Sequence, residues 1–316
     1  MNKVALGRTG LTVAPLVYGS LPLGSLQASL SPAEGGRLIR HALERGVNMV
    51  DTAHLYGTYA HLREGLRGFA GEVVVASKTH AATAAEARAH IEAALREIGR
   101  EYLDVVHLHG ARLPDPFVER ADVFAELLRM RDEGKIGFVG LSTHYIRAVK
   151  AAASQPDIAL VHPLINQTGM GILDGSAAEM AAAIAEAAGK GKGIYAMKAL
   201  AGGNLIGQAR QSLDFVRRLP GVHALAVGML SEAEIEANIA LFAGRAEEPE
   251  RWRALEGQRR RLKIMDQFCK GCGACVDACT NEALELRAAK ASLDESQCIL
   301  CGYCAAACPD FIIRVI

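Results

Sequence analysis

From Leu16 to Gly244 short apolar runs alternate with amphipathic stretches. The runs at 16–18, 48–50, 73–76, 105–108, 136–141, 159–161, 194–197 and 225–227 are too short for helices and read as buried parallel strands. Between them, the apolar positions of 84–98, 117–130 and 232–241 recur at three and four residues, which predicts helices laying one face on a sheet. Eight strands alternating with helices over about 250 residues predict an α/β fold, a (β/α)8 TIM barrel. An open doubly wound sheet would want a GxGxxG turn after its first strand, and Gly19-Ser20-Leu21-Pro22-Leu23-Gly24 does not supply it.

Past residue 245 the pattern changes. A charged stretch that includes Pro249, Trp252 and Arg259-Arg260-Arg261 predicts a linker or helix over 246–264, with Trp252, the only tryptophan, packing at a junction. The remainder, 265–316, holds all eight cysteines of the chain. They fall in two runs of one pattern: Cys269, Cys272, Cys275, Cys279, then Cys298, Cys301, Cys304, Cys308-Pro309. Residues 283–286 and 312–315 follow their runs in the same register and read as short paired strands. The chain thus divides into a barrel at 1–245, a connector at 246–264 and a small α+β module at 265–316.

The cysteine runs resemble a bacterial-type 2[4Fe-4S] ferredoxin, in which C-x2-C-x2-C-x3-C-P is the ligand run. Three cysteines at this spacing wrap one face of a cubane, while the fourth lies too far along to close the same cube. The resemblance implies crossed ligation: Cys269, Cys272, Cys275 and Cys308 for one cluster, Cys298, Cys301, Cys304 and Cys279 for the other. Thr280 stands where the second run has Pro309, which removes a turn constraint and no ligand. Disulfides are disfavoured without a secretory signal, and zinc sites use four ligands in pairs.

Charge narrows the partners. Lys plus Arg and Asp plus Glu both number 35, and half the residues are hydrophobic, so nothing in the balance favours nucleic acid or an anionic membrane. The N-terminus lacks an apolar secretion core, and the alanine-rich stretches are interrupted by Glu179 and Glu186, so no membrane span and a cytoplasmic location are expected. A small molecule or a redox protein is the expected partner.

In a barrel, chemistry gathers at the C-terminal ends of the strands. There the sequence places Asp51, Tyr56 in the following loop, Lys78, and His109. A tyrosine is a poor acid at neutral pH; a lysine ammonium alongside is expected to move it downward, an aspartate to hold the lysine, and a histidine to orient a carbonyl. Asp51-Thr-Ala-x-x-Tyr56-Gly57, Lys78, Leu103-Asp-Val-Val-His-Leu-His109 and the opening Leu6-Gly-Arg-Thr-Gly-Leu-Thr-Val13 resemble the aldo-keto reductase superfamily. That resemblance covers about residues 1–245. It implies an NAD(P)H-linked enzyme interconverting a carbonyl and an alcohol, with Asp51, Tyr56, Lys78 and His109 as its tetrad.

The same resemblance implies cofactor contacts at Ser142, Asn166, Met197, Lys198, Gly228, Ser231 and Asn238. Thr143, His162 and Met197 depart from the family's usual Asn, Gln and aromatic. Glu234 stands where NADPH-selective members place an arginine, and a carboxylate repels a 2′-phosphate. The clusters would exchange single electrons and a nicotinamide a hydride, so a flavin enters as a further candidate cofactor wherever the two must communicate. The alternatives to a nicotinamide-linked enzyme are a ferredoxin-dependent reductase fed through the clusters, and a non-catalytic electron-transfer subunit.

Overall fold

The computed structural model describes residues 1–245 and 249–316; residues 246–248 of the expected connector lie outside the described residues. Eight parallel strands close a barrel: β1 (Leu16–Gly19), β2 (Met49–Asp51), β3 (Val74–Thr79), β4 (Leu103–Gly110), β5 (Ile136–Thr143), β6 (Leu160–Pro163), β7 (Gly193–Ala196) and β8 (Ala224–Gly228). Each pairs with its sequence neighbour, and β8 returns to β1 with Leu225 opposite Leu16. Every apolar run read as a strand is one.

The outer helices start where the sequence supplies caps. Ser31 with Glu34, Thr83 with Glu86, and Ser176 with Glu179 form reciprocal capping boxes ahead of helices Pro32–Glu44, Ala84–Ile98 and Ala177–Gly189. Such a cap contributes about 1 kcal/mol and fixes where a helix leaves its loop. One face of each helix is buried against the strands, through Ile39, Ile91 and Ile184 among others. Inside the barrel, alternate strand residues point inward: Val17, Met49, Val74, Ala76, Val105, Leu160 and Tyr195 share one buried cluster. An N-terminal hairpin pairing Val4–Ala5 with Thr12–Val13 closes this end with Leu6 and Val13.

Helix Pro249–Glu256, within the expected connector, packs on the barrel, and Trp252 is buried in the barrel's main core. The cluster module begins earlier than expected. Strand β9 (Leu262–Ile264) pairs antiparallel with β12 (Ile313–Val315), while β10 (Leu284–Arg287) pairs with β11 (Lys290–Leu293). The two segments that follow the cysteine runs are strands, but each pairs with a different partner and not with the other, because the ends of the module fold back on themselves.

The module sits on the barrel mouth. Gln27 Nε2 donates to the Leu300 carbonyl at 3.2 Å and Asn204 Nδ2 to the Cys298 carbonyl at 2.8 Å. A Cβ on Gly202 would lie 1.6 Å from the Ile299 oxygen, and one on Gly302 would lie 2.1 Å from the Leu26 oxygen. Both glycines have positive φ, 71° and 82°. Only glycine admits this backbone-to-backbone approach. Gly202→Ala is therefore expected to cost about 2 kcal/mol or more, from left-handed strain and overpacking together, and to loosen the module. A thermal melt and limited proteolysis check this; an unchanged melt with an intact module would refute the contact.

Candidate active site

Polar side chains occupy the inward positions at the C-terminal ends of β2, β3, β4, β6 and β7, one layer above the apolar cluster. Lys78 is fully buried. Its Nζ donates to Asp51 Oδ2 at 2.6 Å and to the Thr52 carbonyl at 2.8 Å, and lies 4.7 Å from the centre of the Tyr56 ring. The Tyr195 hydroxyl donates to Asp51 Oδ1 at 3.0 Å and shares a 2.6 Å hydrogen bond with His107 Nε2. His162 Nδ1 bonds the Tyr195 carbonyl at 2.6 Å, and its Nε2 stands 3.8 Å from Asp51 Oδ1. The ring of His109 meets that of Tyr56 edge-on, with centroids 6.3 Å apart. The four residues singled out in the sequence thus converge on one mouth.

Local sequence makes room for them. Gly140 on β5 lies beside His107, where a Cβ would come within 2.4 Å of the ring. Gly57 turns the chain after Tyr56 at a φ of 64°, which brings the tyrosine back over Lys78. Three participants escaped the sequence reading: His107, Tyr195 and Tyr303. Strand parity could have found the first two, since His107 lies two residues before His109 and Tyr195 two before Met197.

Burial dominates the protonation states. It pulls the Lys78 ammonium down, opposed by Asp51. It pushes the Tyr56 phenol well above its ordinary value, with the Tyr303 and Asp51 charges adding to the rise. The downward shift expected from the lysine is thus overturned: desolvation of a phenolate outweighs the ammonium at the ring face. His107, His109 and His162 are all held well below the ordinary histidine value by burial, with the Lys78 charge adding to the effect in each, so they are neutral. The mouth holds a protonated tyrosine and neutral imidazoles around one ion pair.

Tyr303 comes from the cluster module, between Cys301 and Cys304. It packs with Leu26, Ala53 and Tyr56. The second cysteine run thereby places a side chain inside the barrel mouth.

A cleft beside Tyr56 is lined by Gly19, Met197, Lys198, Gly228, Glu234 and Asn238, with Trp252 and Arg260 from the connector. Of the seven expected cofactor contacts, Met197, Lys198, Gly228 and Asn238 line it; Ser142, Asn166 and Ser231 do not. Asn166 is engaged in its own loop, its Oδ1 accepting from Thr168 and Met170 and its Nδ2 donating to the Met170 carbonyl. Ser231 caps helix Glu232–Phe242. Glu234 accepts the Leu230 amide at 2.8 Å, so its carboxylate also serves that helix start. The Asn238 Oδ1 and Ser142 Oγ atoms are buried without partners among the described residues, and the former lies on a residue of the cleft, which suits a nucleotide bearing hydrogen-bond donors.

None of the eight cysteines is in a disulfide. Cys279, Cys298, Cys301 and Cys304 line one cavity and Cys269, Cys272, Cys275 and Cys308 another, so each cavity has four sulfur donors and each draws one from the other run. Ala283 and Ala291 direct amides at Cys279 Sγ and Cys269 Sγ, at 3.2 and 3.4 Å, as suits thiolate ligands. The donor sets fit two [4Fe-4S] clusters. The second run reaches the barrel through the Cys298 and Leu300 carbonyls and the Tyr303 ring, so the cavity of Cys279, Cys298, Cys301 and Cys304 is the barrel-facing one. Cys272, in the other, is exposed.

Residues 15–220 match the aldo/keto reductase family and residues 268–312 a 4Fe-4S dicluster domain. Among similar proteins, L-galactose dehydrogenase of Arabidopsis thaliana is 27% identical over 45% of this chain and 49% of its own length. The 6-dehydroglucose reductase of Agrobacterium fabrum is 28% identical over 45% of this chain and 54% of its own. These matches span about half of each relative. The uncharacterized oxidoreductase YrpG of Bacillus subtilis is 28% identical over 76% of this chain and 82% of its own. The solved structure of PA4992 from Pseudomonas aeruginosa, assigned as an aldo-keto reductase, superposes with a TM-score of 0.66 at 27% identity, covering 77% of this chain and 95% of that one.

The crossed donor sets lead to an expected content of about eight iron and eight sulfide per chain. Cys308→Ser should then damage the cluster of Cys269, Cys272 and Cys275, although its sequence neighbours serve the other. Anaerobic iron analysis with electron paramagnetic resonance tests this; loss confined to the Cys298 cluster would refute the crossing.

Proposed function

The chain belongs to the aldo/keto reductase family and carries a 4Fe-4S dicluster domain, and on that premise we propose that it interconverts a small-molecule carbonyl and the corresponding alcohol at the barrel mouth. The observation that carries this is the Lys78 ammonium, held by Asp51 at 2.6 Å and seated 4.7 Å from the Tyr56 ring centre. Tyr56 is the proton donor to the carbonyl oxygen. Lys78 stabilises the negative charge left on the phenol, Asp51 fixes Lys78, and neutral His109 directs the carbonyl. A phenol held high in pKa stays protonated at neutral pH, which favours the reducing direction. Two relatives named for sugar oxidation and sugar reduction support carbonyl and alcohol chemistry as the class.

NAD(P)H would supply the hydride when bound, and Met197, Lys198, Gly228 and Asn238 of the cleft beside Tyr56 are the residues that would hold it. Glu234 in the cleft lining disfavours a 2′-phosphate, so NADPH is not preferred over NADH. Tyr56→Phe is expected to lower carbonyl turnover by about 10²–10⁴-fold, the usual share of a proton donor, while iron content and fold persist. Turnover equal to the parent would place the chemistry elsewhere.

A second reading has its own observation. Ile299 and Leu300 of the second cysteine run pack against Gly202 and Gly203 of the cleft lining, so in this reading 298–304 forms an electron port for the cleft's occupant, fed by a redox-protein partner. Bound there, [4Fe-4S] clusters supply one-electron exchange and a nicotinamide supplies a hydride, so this reading pairs the port with a flavin in the cleft. Anaerobic mixing with NADH and a carbonyl compound, followed by electron paramagnetic resonance, separates the two. A cluster signal cycling at the turnover rate favours the port; an unchanging one favours clusters outside turnover.

A further inference from the structure

A second cavity, of about 420 Å³, opens between the barrel mouth and the cluster module. His109, Arg112, Leu113 and Arg120 line it from the barrel, and Thr280, Tyr303 and Ala306 from the module. Its size suits a small organic molecule. His109 belongs to both this lining and the Tyr56 constellation, so an occupant meets the proposed chemistry through the His109 ring, while Tyr56 itself lines the neighbouring cleft. The Nδ1 of His109 is shielded and has no hydrogen-bond partner among the described residues.

The charges around this cavity are one-sided. Two guanidiniums line it and no aspartate or glutamate does. Neither arginine forms an ion pair among the described residues: Arg112 donates to the Asp277 carbonyl of the module, and Arg120 Nη1 to the Glu119 carbonyl at 2.9 Å. A guanidinium carries five N–H donors, so each keeps several for a ligand. Leu55, Leu108, Leu113, Ala306 and Ala307 give the wall its apolar part, and His80, His109, Thr280 and Tyr303 its other polar groups.

We propose that this inter-module cavity is the substrate pocket and that it selects carbonyl compounds bearing an oxyanion, a carboxylate or a phosphate, which Arg112 and Arg120 hold while an apolar body fills the space up to His109. The cluster module then supplies one side of the wall, opposite the two arginines of the barrel. This rests on the carbonyl reading of the mouth, and binding without turnover tests it separately.

The experiment uses the anaerobic holoprotein without nicotinamide and measures affinity by titration calorimetry for 4-carboxybenzaldehyde, 4-formylphenyl phosphate and the neutral methyl ester of the former. At least one anionic aldehyde is expected to bind about tenfold or more tighter than the ester, the effect of one charge-assisted hydrogen-bond pair. The two anionic probes show which oxyanion is preferred. Arg120→Gln should remove the advantage and Arg120→Lys restore part of it; Arg112→Gln should weaken binding in the same sense. Iron content and thermal melts verify that each variant keeps its fold. As a readout independent of affinity, the anionic aldehyde should alter the electron paramagnetic resonance of the reduced clusters, since Ala278, Thr280 and Ala307 of the pocket wall adjoin Cys279 and Cys308 in the chain. Equal affinities for all three probes, or an anion advantage that survives both Gln variants, would overturn the pocket. Tight anion binding that depends on the arginines, with no turnover once NADH and NADPH are supplied, leaves the pocket standing and removes the carbonyl reading instead.

Discussion

A single buried charge organises the mouth of this barrel. The Lys78 ammonium has no access to water, so it exists only because Asp51 and the Thr52 carbonyl receive it. Removing one partner of such a pair costs about 3–5 kcal/mol, since the other is left charged and unsolvated. The field of that ammonium also adds to the burial that keeps three histidines neutral, and its place at the Tyr56 ring sets the surroundings of the phenol. Asp51 is fixed in turn by Tyr195, and Tyr195 by His107, so the pair anchors a hydrogen-bonded layer across the barrel. Such layers hold their members to one geometry because each unsatisfied atom would be costly.

On that rigid layer the cluster module acts as a lid of fixed position. It reaches the mouth through backbone contacts at Gly202 and Gly302 and through the Tyr303 side chain. The connection is close enough for Asn204 of the barrel to bond the Cys298 carbonyl directly. The barrel therefore has two openings with different walls. The cleft is bounded by the connector helix with Trp252, and the inter-module cavity by the cysteine-bearing segment.

The barrel was legible because its strands are short apolar runs separated by capped helices. The strand ends were less so. The third and fourth strands extend to Thr79 and Gly110, past the apolar runs that suggested 73–76 and 105–108. Of those extra residues Lys78 and His109 face the mouth while Ser77 and Thr79 bond outward to Tyr59 and His90, and polarity alone looks like a loop. Asp51, Tyr56, Lys78 and His109 could be read from residue type and position, whereas Tyr195 and His107 sit inside apolar runs and show themselves only through alternation. Ser142, Asn166 and Ser231 were assigned by likeness to a family pattern. In the fold, Asn166 and Ser231 are engaged locally in a loop and a cap, which sequence position alone does not reveal. Tyr303 had no signal at all, since its contact depends on how two independently folding patterns dock.

The pairing of β9 with β12 gives the cluster module a single hinge line. Arg261 and Ile316 exchange both backbone hydrogen bonds, at 2.8 and 2.9 Å, so the segment enters and leaves at one place. A unit whose two ends meet needs no span to be bridged, and its loop closure is paid once, inside the unit itself. It behaves topologically as an insertable cassette: its first and last strands lie side by side, and it takes its orientation from surface fit. Grafting such a cassette onto another barrel would then be a problem of matching loop shape at the rim and not of linker length.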